Sequence, residues 1–181
     1  MKFRNDIPIC VDLDGTLIHT DTTITAMGKF ARQRYFHAFY FVPWFLRGLA
    51  HFKHKLFSNY ELQVSSLPFN AKVLAELQKI KHNGNPIYLV TATDAKMARQ
   101  VADHLSELFD ECYASDGRVN LRHKAKGDLL IKLFGKHGYV YFGNSRDDLY
   151  VWRYAHTAVV VNASKRLARK AQSISKESYV L

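Results

Sequence analysis

Short apolar runs alternate with longer amphipathic stretches along most of this chain. Residues 8–11 (PICV) form an apolar run that stops at Asp12, the pattern of a buried strand. Residues 87–90 (IYLV), 139–142 (YVYF) and 158–161 (AVVV) repeat it. The first of these ends at Thr91 and the second at Gly143-Asn144-Ser145. Residues 112–114 predict a further short strand. Between the strands, Val73, Leu74, Leu77 and Ile80 recur at helical spacing, and Asn83-Gly84-Asn85-Pro86 stops that helix. Met97, Val101, Leu105 and Leu108 stripe a second helix over 94–108. Leu129, Leu130, Leu133 and Phe134 stripe a third, ended by Gly135. Residues 149–155 read as another helix, and a basic helix over 164–176 closes the chain.

Strands alternating with helices of this length predict βαβ units. The expected fold is therefore α/β, a Rossmann-like parallel sheet with helices on both faces. In such sheets ligands bind beyond the carboxyl ends of the strands, where strand order reverses. Asp12-Leu13-Asp14, Thr91 and Gly143-Asn144-Ser145 all end predicted strands, so topology gathers them in one crevice.

Residues 18–68 break the rhythm. No acid stands between Asp21 and Glu61, whereas Lys29, Arg32, Arg34, Arg47, Lys53 and Lys55 do, with His37, His51 and His54. Aromatic residues crowd the same stretch, among them Phe30, Tyr35, Phe36, Phe41, Trp44 and Phe45. Pro43 predicts a broken or kinked helix near Val42. This stretch reads as a helical cap inserted over the crevice. The core is then 1–17 and 69–181, and the cap is 18–68.

Composition narrows the classes. A chain of 181 residues is one domain, or one domain with an insert. With 48% hydrophobic and 23% charged residues, it is neither a disordered tail nor a fibre. Twenty-six Lys+Arg against sixteen Asp+Glu leave +10, which favours an anionic partner: a membrane surface, nucleic acid or a phosphorylated substrate. No recognised reader motif accompanies the charge, which argues against nucleic acid. Cys10 and Cys112 are too few for a disulfide framework and lack C-x-x-C spacing. The amino terminus lacks the apolar core of a signal peptide. The longest apolar run, 38–46, holds a Pro and falls far short of the roughly 20 residues of a spanning helix. A cytoplasmic or peripheral-membrane location is expected.

The chemistry centres on Asp12-Leu13-Asp14-Gly15-Thr16. In extended chain, side chains at i and i+2 share one side. Two carboxylates so close repel unless a cation lies between them, and a hard ion with oxygen ligands, Mg²⁺, is the natural occupant. One carboxylate can then attack phosphorus and the other can shuttle a proton. Thr91 offers a hydroxyl and an amide to phosphate, or caps the helix ahead of Asp94. Lys126, with Lys124 as a rival, can neutralise phosphate and nucleophile together, or stand solvated. Asp148 lies one helical turn beyond Asn144, and the pair can complete a metal shell, or cap a helix.

This ordered set resembles the haloacid dehalogenase (HAD) superfamily. It is most similar to the HAD domains fused to UbiA-type prenyltransferases, on the wording VDLDGTLIHTD, PWFLRG, SLPFN, VTATD, ASDG, NLR and GNSRDDLYVWRYA. The resemblance spans nearly the whole chain and implies a cap of the C1 type, between the first and second motifs. It implies that Asp12 is the nucleophile, forming an aspartyl-phosphate, and Asp14 the general acid/base. Thr91 and Lys126 would bind phosphate. Mg²⁺ would be held by Asp12, the Asp14 carbonyl, and Asn144 and Asp148 of the fourth motif. Haloacid dehalogenases generally lack the second Asp, so Asp14 argues for phosphoryl transfer. Asn144 departs from the family's usual Asp and removes one formal charge; Asp147 and Asp148 stand near enough to compensate.

The expected activity is a Mg²⁺-dependent phosphomonoesterase on an aryl or apolar substrate. Phosphotyrosine on protein and a prenyl-linked sugar phosphate are the two candidates. The alternative is a membrane-surface or lipid-binding module with weak or no catalysis. Aromatics interleaved with Lys/Arg suit an interfacial helix, which puts Phe41, Trp44 and Phe45 at a membrane or at the substrate. Lys165, Arg166, Arg169, Lys170 and Lys176 form a second basic patch.

Overall fold

The computed structural model describes residues 1, 3–33 and 39–181. Arg34, Tyr35, Phe36 and His37 of the aromatic and basic stretch, and Ala38 of the long apolar run, lie outside the described residues. Strands β1 (Ile9–Val11), β2 (Ile87–Asp94), β3 (Glu111–Ser115), β4 (Val140–Gly143), β5 (Thr157–Val160) and β6 (Glu177–Val180) form one sheet. Every pairing is parallel, in the order β3-β2-β1-β4-β5-β6. Val11 of β1 lies opposite Leu89 on one side and Phe142 on the other. The chain builds outward from β1 to β3, then returns and builds the other way from β4. Strand order thus reverses between β1 and β4, and a crevice opens at their carboxyl ends.

Eight helices accompany the described strands. α1 (Thr22–Gln33), α2 (Phe41–Leu46) and α3 (Leu49–Asn59) fill the stretch that lacked βαβ rhythm. α4 (Ala71–His82) and α5 (Ala95–His104) follow, then α6 (His123–Phe134), α7 (Leu149–Tyr154) and α8 (Lys165–Ile174). Successive residues of β1 face opposite sides of the sheet, as the two-residue period requires. Ile9 and Val11 join Val73 and Leu77 of α4 and Val101 of α5 in one core. Cys10 joins Leu130 of α6, Trp152 of α7 and Ala171 of α8 in the other. The sheet is covered on both faces, which is why its central strands read as unbroken apolar runs. Phe30, Phe52, Leu56 and Phe57, from α1 and α3, belong to the first core. The helical insert therefore shares its core with one face of the sheet.

Three local expectations are corrected. β2 continues to Asp94, so Thr91 sits inside the strand and not at its end. β6 follows the basic helix although 177–180 carries no apolar run; it is an edge strand, largely exposed, and needs none. Pro43 does not break its helix. It stands in the first turn of α2, where a backbone N–H has no intrahelical acceptor in any case.

The insert leaves and rejoins the core at one place. The His19 N–H donates to the Pro68 carbonyl, and the Asn70 N–H to the Leu17 carbonyl, both at 2.9 Å. Asn70 also caps α4: its side-chain oxygen accepts from the Lys72 and Val73 amides, while its Nδ2 donates to the Thr16 carbonyl at 3.3 Å. Asn70→Ala should remove the cap and the tie to the loop after β1. The expected cost is about 1–2 kcal/mol in urea unfolding.

Candidate active site

The loop after β1 is folded by its own backbone. The Asp12 N–H extends the sheet by donating to the Phe142 carbonyl at 3.0 Å. The Thr16 and Ile18 amides then donate back to the Leu13 carbonyl, at 3.2 and 3.1 Å. Gly15 makes the turn with φ +74°, and a Cβ there would lie 2.0 Å from Asn144 Nδ2. Only glycine tolerates both the dihedral and the approach. The loops after β1 and β4 are thereby held face to face at the switch point.

Asp12 is 8% exposed and accepts a 2.9 Å hydrogen bond from Nζ of Lys126, itself 4% exposed. Lys126 Nζ also donates to the Tyr141 hydroxyl at 2.8 Å, and that hydroxyl donates to Asp148 Oδ1 at 2.9 Å. The other Asp148 oxygen accepts from the Asn144 and Ser145 amides and from Ser145 Oγ, at 3.0, 2.9 and 3.1 Å. Gly143 permits this closeness, since a Cβ there would sit 2.7 Å from Asp148 Cγ. Asp148 thus spends both oxygens on chain donors and fixes the loop that carries Asn144. Lys124, the rival to Lys126, is exposed and pairs with Asp128.

Asp14 is held from two elements. Its Oδ1 accepts from the Thr22 amide at the start of α1 (2.7 Å), and its Oδ2 from Thr93 Oγ1 on β2 (2.5 Å). The two threonine hydroxyls lie 3.0 Å apart. Thr91 is fully buried, and its hydroxyl accepts the Thr93 amide at 3.1 Å. Its neighbour Ala92, and not Thr91, lines the cavity above the site.

Burial dominates the electrostatics. It pushes the Asp12 carboxyl up to about 7, even though Lys126 pulls the other way. It also raises Asp14, helped by the charge of Asp21 and opposed by the Thr93 and Thr22 hydrogen bonds. Burial works to lower Lys126, but the charges of Asp12 and Asp148 outweigh it, and the ammonium is held above its ordinary value. A second lysine comes from the insert. Lys53 of α3 is buried, donates to the Ala92 carbonyl at 2.7 Å, and is lowered by burial against the pull of Asp14.

The cavity over these groups has a volume of about 770 Å³. Its floor is polar, with Asp12, Asp14, Lys53, Lys126 and Asn144. Its wall is apolar and comes mainly from the insert, including Met27, Phe41, Phe45, Leu49 and Phe52. At the rim, Arg122 and His123 both pair with Asp147, so Asp147 is committed there. Thr23 lines the same cavity, and its buried hydroxyl has no partner among the described residues. Of the three cap residues singled out in sequence, Phe41 and Phe45 line the cavity. Trp44 does not; it packs in a ring cluster with Phe30, Tyr40 and Phe41.

Thr22, Thr93, Tyr141 and Lys53 escaped the sequence reading as site residues. Thr93 had a signal, since it stands two residues after Thr91 and shares its side of the strand. Lys53 had a weaker one, as a lysine in a stretch without any acid to pair it. Among the described residues, no three His, Cys, Asp or Glu side chains converge as a metal cluster. Tyr141→Phe should break the bridge from Lys126 to Asp148 and leave both short of a partner. A loss of about 1–3 kcal/mol in denaturant unfolding is expected.

No family model matches the sequence. The chain is 29% identical over 184 residues to the uncharacterized protein y4nM of Sinorhizobium fredii, a match that covers 97% of this chain. It spans only 34% of that relative's length. Among solved structures, it superposes on an HAD-family hydrolase, t0658, of Salmonella enterica serovar Typhi with a TM-score of 0.61 at 13% identity, covering 97% of this chain and 67% of that one. It superposes on a phospho-aspartyl intermediate analogue of phosphoserine phosphatase with a TM-score of 0.63 at 16% identity, covering 97% and 93%. The six-stranded parallel sheet with helices on both faces is therefore of the HAD-like, Rossmann-type α/β fold.

Proposed function

We propose that this chain is a Mg²⁺-dependent phosphomonoesterase that works through an aspartyl-phosphate on Asp12. The observation that carries the reading is the buried Asp12–Lys126 pair beside Asp14, at the point where strand order reverses. Asp12 attacks phosphorus, and Lys126 balances charge on the nucleophile and the phosphate oxygens. Asp14 gives its proton to the leaving oxygen, then takes one from the water that cleaves the intermediate. A burial-raised carboxyl that also accepts from Thr22 and Thr93 suits a group that must both hold and release a proton.

The residues fit a divalent cation. Asp12, Asp14 and Asn144 line one cavity floor, and the negative charges of Asp14 and Asp148 both press on Asp12. The available donors are hard oxygens. Asp12, the Asp14 main-chain carbonyl and Asn144 would hold the ion, with Asp148 orienting the Asn144 loop. When bound, Mg²⁺ offsets the repulsion between the carboxylates and an incoming phosphate. Thr91, fully buried and off the cavity wall, supports the strand carrying Thr93 and is not the phosphate contact that the sequence suggested.

The apolar cavity wall supports a leaving group with an aromatic ring or a hydrocarbon chain. Phosphotyrosine and a prenyl-linked sugar phosphate both answer to that description. The helical insert, 18–68, acts as the cap that selects between them.

Hydrolysis of p-nitrophenyl phosphate tests the reading. Turnover should need Mg²⁺, stop with EDTA, and fall at least about 10³-fold in Asp12→Asn. Metal-dependent turnover that persists in Asp12→Asn would remove Asp12 as nucleophile. Metal binding should also depend on pH. A divalent ion binds the carboxylate and competes with its proton, and the Asp12 carboxyl is pushed up to about 7. The rise in melting temperature on adding Mg²⁺ should therefore be small at pH 6, grow through pH 7 and level off above it. A shift equal at pH 6 and pH 8 would show that no ligand group titrates between them.

A further inference from the structure

The apolar wall of the cavity runs out to the surface of the protein. None of the six residues of α2 is buried. Val42, Phe45 and Leu46 are 65, 62 and 81% exposed, yet all three also line the cavity that contains Asp12 and Lys126. Phe39, just ahead of α2, is 80% exposed. Single exposed apolar side chains need no explanation, but a contiguous set at the mouth of a cavity does.

Charge narrows what can cover this rim. No acid occurs anywhere from 22 to 60, and Lys29, Arg32 and Arg47 stand exposed in the same insert. A second copy of the chain would set these cations against their own kind. A protein partner would be expected to meet a rim of hydrogen-bonding groups around an apolar centre. Here exposed apolar side chains and exposed cations share one acid-free insert, the composition of a helix lying in an anionic lipid surface.

We propose that Phe39, Val42, Phe45 and Leu46 seat in the outer layer of an anionic bilayer, and that the substrate is a lipid phosphomonoester drawn from it. This rests on the phosphomonoesterase reading and names its substrate class. The hydrocarbon chain lies along the apolar wall, and the headgroup phosphate reaches the polar floor. The bond from phosphorus to the lipid oxygen breaks as the bond to the Asp12 carboxylate forms, and the lipid oxygen takes the Asp14 proton. Water then releases inorganic phosphate, and the lipid alcohol stays in the membrane.

The test is flotation of the whole chain with phosphatidylcholine vesicles, with and without phosphatidylglycerol, beside turnover of phosphatidate in the same vesicles. Wild type and Asp12→Asn should both float, and only with the anionic vesicles. The triple variant Phe39→Ser, Val42→Ser, Leu46→Ser should lose at least about tenfold in partition. Its turnover of vesicle phosphatidate, relative to p-nitrophenyl phosphate, should fall by a similar factor. Failure of wild type to float, or flotation of the triple variant as well as wild type, overturns the bilayer contact. Preference for a soluble phosphotyrosine peptide over vesicle phosphatidate overturns the substrate class in favour of a phosphoprotein. Flotation without turnover of any phosphomonoester overturns the catalytic reading and the substrate class together, while the bilayer contact stands.

Discussion

The ion pair between Asp12 and Lys126 is the constraint around which the rest of this molecule is arranged. Two charges taken out of water cost several kcal/mol each unless geometry and further hydrogen bonds compensate. The compensation is visible. Lys126 gains Tyr141, Tyr141 gains Asp148, and Asp148 gains two backbone amides and a serine hydroxyl. The chain of contacts starts at the end of β1 and finishes in the loop after β4. A network of that kind is stabilising only when every member is satisfied. The glycines at 15 and 143 belong to the same requirement: a side chain at 15 would push the two loops apart, and one at 143 would displace Asp148 and Tyr141.

Asp14 is supported separately, by Thr22 from the insert and Thr93 from β2. The two carboxylates stand two positions apart in sequence and share burial as the main influence on their protonation, yet they differ in partner. One faces an ammonium and the other faces an amide and a hydroxyl. That difference would suit each to a separate role in the proposed reaction, and it depends on three elements bringing those partners to one sheet edge.

Much of this was legible in the chain. The apolar runs at 8–11, 87–90, 139–142 and 158–161 are strands because a sheet covered on both faces leaves no polar side to its central members. Asp12 and Asn144 stood out because they follow apolar runs that end at one edge, and Lys126, near the start of a helix, stood out through the family resemblance. Lys126 and Lys124 could not be separated by spacing, and only the folded helix brings one to Asp12 and leaves the other beside Asp128. β6 was hidden because an edge strand with exposed side chains has no pattern to show. Tyr141 was hidden for the opposite reason. It looks like one more apolar residue in a buried strand, and its hydroxyl acquires meaning only when Lys126 and Asp148 arrive from elsewhere.

The shared core of the insert bears on how a substrate gets in. α3 is tied to β2 by Lys53 on the Ala92 carbonyl and His54 on Asp94, and to α5 by Lys96 on the Phe57 carbonyl. Lifting the insert away would also return Phe30, Phe52, Leu56 and Phe57 to water, at roughly 6–12 kcal/mol for four large side chains. That is as large as the whole stability of an ordinary domain. A hinged opening of the whole insert is therefore costly. For the proposed reaction the standing mouth of the cavity is the cheaper route, so its width and chemistry, and not the frequency of a swing, would set which molecules are admitted and how fast they leave.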